Sequence, residues 1–176
     1  VGDTNQDGQL DPGESWQFRT SRVATAGSHT IGFSTTALEP LTDVVVSNSV
    51  LGTYFGASPA VSLSQLIVGS GQDAEGGVLA ATGDPVPVFY SVQNQGNVAL
   101  DSVVVSAGDY YAGDTNQDGL LDTNEVWEFV SNHTAVTGPQ QIAASISAVE
   151  PVTGAVVSDS VLGTYFGASP AVSLSQ

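Results

Sequence analysis

Two twelve-residue runs hold most of the chemistry open to this chain. Asp3-Thr4-Asn5-Gln6-Asp7-Gly8-Gln9-Leu10-Asp11-Pro12-Gly13-Glu14 fits the pattern D-x-[DN]-x-[DN]-G-x5-E in full, and Asp114 to Glu125 fits it again. In such a loop the side-chain oxygens at positions 1, 3 and 5 converge as the chain wraps a cation, and glycine at position 6 permits the sharp turn. Position 7 gives a backbone carbonyl, position 9 often acts through water, and glutamate at position 12 closes the shell with both oxygens. In the first run those roles fall to Asp3, Asn5, Asp7, the Gln9 carbonyl, Asp11 and Glu14. In the second they fall to Asp114, Asn116, Asp118, the Leu120 carbonyl, Asp122 and Glu125. Hard oxygen donors in a flexible loop favour Ca²⁺ over Mg²⁺, which gives up its water reluctantly. A solvated Asx-rich turn is the simpler source of one such string, but two full matches weigh against it. Calcium is the expected cofactor.

Other residue types offer less. The chain has neither cysteine nor lysine, so it can form no disulfide, thiolate metal site, Schiff base or Lys–Asn crosslink. His29 and His133 are its only histidines, and they fall at unlike places in the two halves, as exposed strand residues would. No G-x-S-x-G elbow accompanies the abundant serine. Paired carboxylates for glycoside hydrolysis would have to lie outside the two acidic runs. Glu39 and Glu150, each followed by proline, read as hairpin ends instead. Trp16 and Trp127 read as core residues beside the loops, and Tyr54-Phe55 and Tyr165-Phe166 as contacts between units. Asn132-His133-Thr134 is a glycosylation sequon, but its counterpart Ser21-Arg22-Val23 is not. No enzyme activity is expected.

Composition narrows the partners. Eighteen acidic residues against two basic ones give a net charge of −16 over 176 residues. Nucleic acid needs clustered cations and is excluded as a partner. Anionic membrane surfaces are disfavoured for the same reason. No apolar run approaches the roughly 20 residues that span a bilayer, and nothing resembles a signal peptide. A hydrophobic fraction of 41% still provides for a core, unlike a disordered acidic tail. The balance predicts a folded, acidic, extracellular chain without membrane insertion.

The sequence also repeats itself. Residues 1–65 lie over 112–176 without a gap at a shift of 111 positions (Gly113 over Gly2), with 40 identities in 65. Ser49 to Gln65 recurs letter for letter as Ser160 to Gln176, whereas 19–33 matches only at Ala24, Gly27 and Ile31. Recent duplication of DNA would explain the perfect block, and so would packing at the junction between successive units. The frame this sets is a complete repeat at 58–168, the C-terminal half of a preceding one at 1–57, and the first strand of a following one at 169–176.

The elements that must position the loops are strands. Val86, Val88, Tyr90 and Val92 alternate with period two, as do Ile142, Ala144, Ile146 and Ala148. Asn94-Gln95-Gly96-Asn97 carries turn chemistry, and Val98 to Leu100 with Val103 to Val105 read as the return strand. Val126 to Val136 sets Trp127 and Phe129 on one face, and Ala155 to Tyr165 supplies one or two strands more. In the first copy the matching strands are expected to start near Trp16, Ile31, Val44 and Val50. No stretch sustains a helical period. Six to eight short strands in 111 residues predict an all-β fold of tandem immunoglobulin-like β-sandwich domains, each with an inserted calcium-binding loop.

One resemblance spans the full repeat and about half of the other copy. GDTNQDGLLDTNEVWEF, preceded by VFYSVQNQGNVALDSVVVS and followed by AVEPVTGAVVSDSV, resembles the tandem Ig-like repeats of large bacterial and archaeal surface proteins, with an EF-hand or dockerin-like calcium loop. The strand starts at Trp16 and Val126 replace the helix that flanks an EF-hand, so the ion is expected to pin a long inter-strand loop. Such repeats are stalk, adhesin or matrix segments. The resemblance thus implies a structural, calcium-stabilised module of an extracellular filament or surface protein, whose partners are neighbouring copies of the same repeat. Strand addition between subunits is one way to join them. The alternative reading is a cell-surface module that binds a carbohydrate or host ligand.

Overall fold

Eleven strands, and no helix, make up the ordered elements of the computed structural model, which describes residues 1–174. They are β1 Gly27–Leu38, β2 Val45–Gly56, β3 Val61–Ile67, β4 Gly71–Gln72, β5 Val78–Ala81 and β6 Pro85–Asn94, then β7 Asp101–Val105, β8 Asp109–Ala112, β9 Val126–Thr134, β10 Gly138–Val149 and β11 Val156–Ala168. Strands β3 to β11 form two sheets, ordered β3-β6-β9-β8 and β4-β5-β11-β10-β7. Every pairing is antiparallel except that of β5 with β11.

The period-two alternation explains the core. Val86, Val88, Tyr90 and Val92 of β6 are wholly buried, while Pro85, Phe89 and Gln93 on the opposite face are exposed. Ile142, Ala144, Ile146 and Ala148 do the same for β10. With Leu63, Ile67, Trp127, Phe129 and Tyr165 these residues form one cluster drawn from both sheets, the layering of a β-sandwich. Burying each large aliphatic side chain contributes about 1.5–3 kcal/mol. The nine strands β3 to β11 of the full repeat exceed the six to eight expected for it, because β4 and β5 are short pieces whose pairing is not visible in local alternation.

The remaining hairpin, β1–β2, repeats the β10–β11 hairpin at the same register. Gly27 faces Gly56 and Leu38 faces Val45, just as Gly138 faces Gly167 and Val149 faces Val156. The turn chemistry is also shared. Glu39 accepts from the Leu41 and Thr42 amides at 3.1 and 2.7 Å, and Glu150 from the Val152 and Thr153 amides at 2.9 and 2.6 Å. These glutamates close the hairpins, as their Glu-Pro setting predicts. The surroundings differ, however. β10–β11 has β7 and β5 at its edges, whereas β1–β2 forms a sheet alone. Ala144 is buried, and its register twin Phe33 is 43% exposed.

Three expected strands are not formed as read. The stretch from Ser15 to Val23 takes no regular structure although its twin is β9. β9 is held between β6 and β8, and among the described residues no strand pairs with Ser15–Val23, so Phe18 is 80% exposed where Phe129 is buried. Likewise Ser169 to Leu174 is irregular, with Val172 and Leu174 exposed. The matching β3 gains its strand by pairing with β6. The rest of that expected strand, 175–176, lies outside the described residues. The return strand after Asn97 begins only at Asp101, because Leu100 instead bridges to Leu121.

Candidate metal centre

Both acidic runs adopt the same loop. Gly2 and Gly113 have φ of 133° and 130°, Gln6 and Gln117 of 63° and 60°, and Gly8 and Gly119 of 78° and 79°. At Gly113 the conformation and the space both require glycine. A Cβ there would lie 2.3 Å from the Val126 carbonyl oxygen and 2.6 Å from the Trp127 Cα. Gln117 in the left-handed region carries strain that loop closure must offset.

Side chains at positions 1, 5 and 12 organise each loop through the backbone. Asp3 accepts from the Gln6 and Gly8 amides at 2.6 and 2.9 Å, and Asp114 accepts from the Gly119 amide at 3.0 Å. Asp7 and Asp118 accept from the amides two residues on, at 2.8 and 2.9 Å. The position-3 amide then gathers two carboxylates. Asn116 Nδ2 donates to Asp118 at 3.0 Å and to Asp122 at 3.1 Å, and Asn5 does the same with Asp7 and Asp11 at 3.0 Å each. Positions 3, 5 and 9 are therefore brought together in both copies.

Glutamate at position 12 has a different set of partners. Glu125 Oε1 accepts from the Thr115 amide at 2.9 Å and from its hydroxyl at 2.6 Å. Its Oε2 accepts from the Asp122 amide at 3.4 Å and from Trp127 Nε1 at 3.2 Å. Glu14 repeats this with Thr4, Asp11 and Trp16. The hydroxyl of Thr115 stabilises the ionised form most, with its amide next, and the Glu125 carboxyl is held down to about 2. Thr4 does the same for Glu14, also down to about 2. These bonds fill about four acceptor positions of the carboxylate, so the glutamate clasps the loop's two ends.

What the arrangement can hold follows from its donors. Among the described residues, no three His, Cys, Asp or Glu side chains converge closely enough to hold a metal ion by themselves. The Asn116 amide stands between the acids and supplies the positive end that two of them share. Half a turn about χ2 would present Oδ1 in place of Nδ2. Among the described residues no backbone N–H is bonded to the Gln9 or Leu120 carbonyl. One atom is left over: Asp114 Oδ1 is buried and has no hydrogen-bond partner. With Asn116 turned to present Oδ1, the orphaned carboxylate oxygen at position 1, that amide oxygen and the carboxylates at 5 and 9 are the oxygen donors a hard divalent cation would take.

The second loop is built into the sandwich, and the first is not. Leu121 is wholly buried and exchanges both backbone bonds with Leu100 at 2.8 and 3.1 Å. Trp127 is buried against the edge of Tyr110, whose hydroxyl accepts from the Asp114 amide at 2.9 Å. Leu10, the twin of Leu121, is 57% exposed. Thr115, Tyr110 and Asn94 join the site only through the fold. Only Thr115 leaves a signal in the sequence, as the threonine shared by both copies of D-T-N-Q-D-G. Both histidines lie on strands, as expected, but each is half-buried and not exposed. His29 stacks on Tyr54 at 5.0 Å, and His133 Nε2 lies 3.1 Å from the Ser131 hydroxyl. Asn132 is exposed on β9.

Comparisons with family models, curated proteins and solved structures return no match. Among the described residues no helix is long and apolar enough to cross a membrane.

Proposed function

We propose that this chain is a structural, calcium-stabilised tandem repeat of an extracellular filament or large surface protein. The observation that carries the reading is the buried, unpartnered Asp114 Oδ1 in a loop whose backbone recurs at Asp3–Glu14. Asp114, Asn116, Asp118, the Leu120 carbonyl and Asp122 would hold the ion, with Glu125 joining if its clasp on Thr115 and Trp127 is released. Asp3, Asn5, Asp7, the Gln9 carbonyl, Asp11 and Glu14 would act likewise. The ion supplies positive charge to carboxylates that otherwise repel one another. The sheet orders β3-β6-β9-β8 and β4-β5-β11-β10-β7 support reading the sandwich as immunoglobulin-like. The repeat would run over 58–168, with 1–57 closing a preceding one and 169–176 opening the next. External calcium is millimolar, enough for the weak sites of extracellular modules.

Titration of chelator-treated protein with calcium tests this directly. Two binding events and a rise in thermal midpoint are expected. At about 100 times Kd one site adds about 2.7 kcal/mol, or on the order of 10 °C. Absence of both heat and midpoint shift in millimolar calcium would sink the reading. Light-scattering mass before and after chelation separates a metal-held polymer of copies, whose mass would fall, from beads on one chain, whose mass would not.

A further inference from the structure

Between the β1–β2 hairpin and β3 the chain passes through Gly56-Ala57-Ser58-Pro59-Ala60, and the turn after β6 holds it. Asn97 does most of this. Its Oδ1 accepts from the Ser58 amide at 2.7 Å, its Nδ2 donates to the Gly56 carbonyl at 2.9 Å, and its own amide donates to the Ser58 carbonyl at 3.2 Å. The Gln95 amide adds a bond to the Ala60 carbonyl at 2.9 Å. Gly96 makes the approach feasible, since a Cβ there would lie 2.6 Å from Ser58 O and 2.7 Å from Ala60 N.

The same turn reaches the other way. Asn94, only 4% exposed, donates through Nδ2 to the Leu121 carbonyl at 2.9 Å and to the Val98 carbonyl at 2.7 Å. Its Oδ1 accepts from the Gly96 amide at 2.9 Å. Leu121 is the eighth residue of the loop Asp114–Glu125. One buried amide thus joins that loop to the residues that seat the linker.

We infer that the turn Asn94–Asn97 is an interface element between successive repeats, which couples ion binding in loop Asp114–Glu125 to the order of the linker entering the same repeat. This rests on the calcium reading above. The chain contains its own contrast. Gly-Ala-Ser-Pro-Ala recurs at 167–171, where among the described residues no such turn lies against it and Val172–Leu174 take no strand. Seating at Gly56–Ala60 is followed by β3. The letter-for-letter identity of Ser49–Gln65 and Ser160–Gln176 is what a segment received by a neighbouring turn would require.

Coupling of this kind is reciprocal: the factor by which calcium orders the linker is the factor by which the seated linker tightens calcium. The test is hydrogen exchange of the Ser58, Gln95 and Asn97 amides in the whole chain, with calcium and with chelator, beside a calorimetric titration. Calcium is expected to slow exchange at these three amides by about five-fold or more. Asn97→Ala should remove that protection and weaken binding at Asp114–Glu125 by the same factor, leaving the Asp3–Glu14 site unchanged as an internal reference. Asn97→Asp, which keeps the acceptor for Ser58 but loses the donor to Gly56, should fall between. Gly96→Ala should reproduce Asn97→Ala by steric exclusion alone. Calcium binding with unchanged linker exchange would overturn the coupling alone, whereas no binding would overturn the calcium reading and the coupling together.

Discussion

Leu10 and Leu121 occupy one place in the repeat and have opposite fates, which makes them a controlled pair. Leu121→Ala removes a wholly buried side chain and should cost about 2–5 kcal/mol. Leu10→Ala acts on a residue 57% exposed and should stay within about 0.5 kcal/mol. Urea unfolding of the two variants against the parent protein measures both. Gly113→Ala should cost about 1–3 kcal/mol or more, because its Cβ meets the Val126 carbonyl and its φ of 130° is foreign to alanine. Glu150 gives a pH signature. Hydrogen bonds from the Thr153 hydroxyl, the Val152 amide and the Thr153 amide, in that order, lower its carboxyl from the ordinary 4.5. Its stabilisation is therefore complete above pH 4.5 and fades as pH falls through the lowered folded value. Glu150→Gln should make stability fall less steeply with acid below pH 4.5, read from unfolding curves at several pH values. Sequence made the candidate ligand types and their spacing legible, because the loop motif is local. It did not reveal that Glu125 is clasped by Thr115 and Trp127, or that Asn94 reaches Leu121, because those partners meet only through the fold.

At the scale of elements, local information sufficed for the hairpins. β1–β2 forms twelve pairs in the β10–β11 register without its neighbours, because alternation and the Glu-Pro turn lie within the segment itself. The stretch Ser15–Val23 shows the opposite case. It shares Glu14-x-Trp16-x-Phe18 with Glu125-x-Trp127-x-Phe129, yet without β6 and β8 beside it no strand forms. That failure is testable because the only basic residues, Arg19 and Arg22, lie within it and are exposed. Trypsin should cut the native chain quickly at these two places alone and leave a fragment beginning at Thr20 or Val23, identified by intact mass. Slow cleavage would mean that the segment is held in a strand. The pairing of β5 with β11 was beyond sequence reasoning, since a parallel contact between residues near 80 and 167 has no local signature.

For the molecule as a whole, the two copies show how much of a repeat depends on its surroundings. The same residues bury Tyr165 and leave Tyr54 only half-buried, while each tyrosine hydroxyl still accepts from a backbone amide, Val136 or Thr25. Local bonds survive without the second sheet, and burial does not. The parallel patch has a mechanical meaning. Phe166, Gly167 and Ala168 at the end of β11 lie beside Leu79, Ala80 and Ala81, and the Thr82 amide bonds to the Ala168 carbonyl at 2.9 Å. Tension transmitted along the backbone would enter at β3 and leave through this end of β11. There it would slide two strands past each other, loading several bonds at once instead of peeling them one by one. Stretching of single molecules should therefore give a force peak that drops when Ala80→Pro breaks the patch, and an unchanged peak would place the resistance elsewhere. In a thread bearing load from end to end, a contact of only three residue pairs would then set its tensile strength.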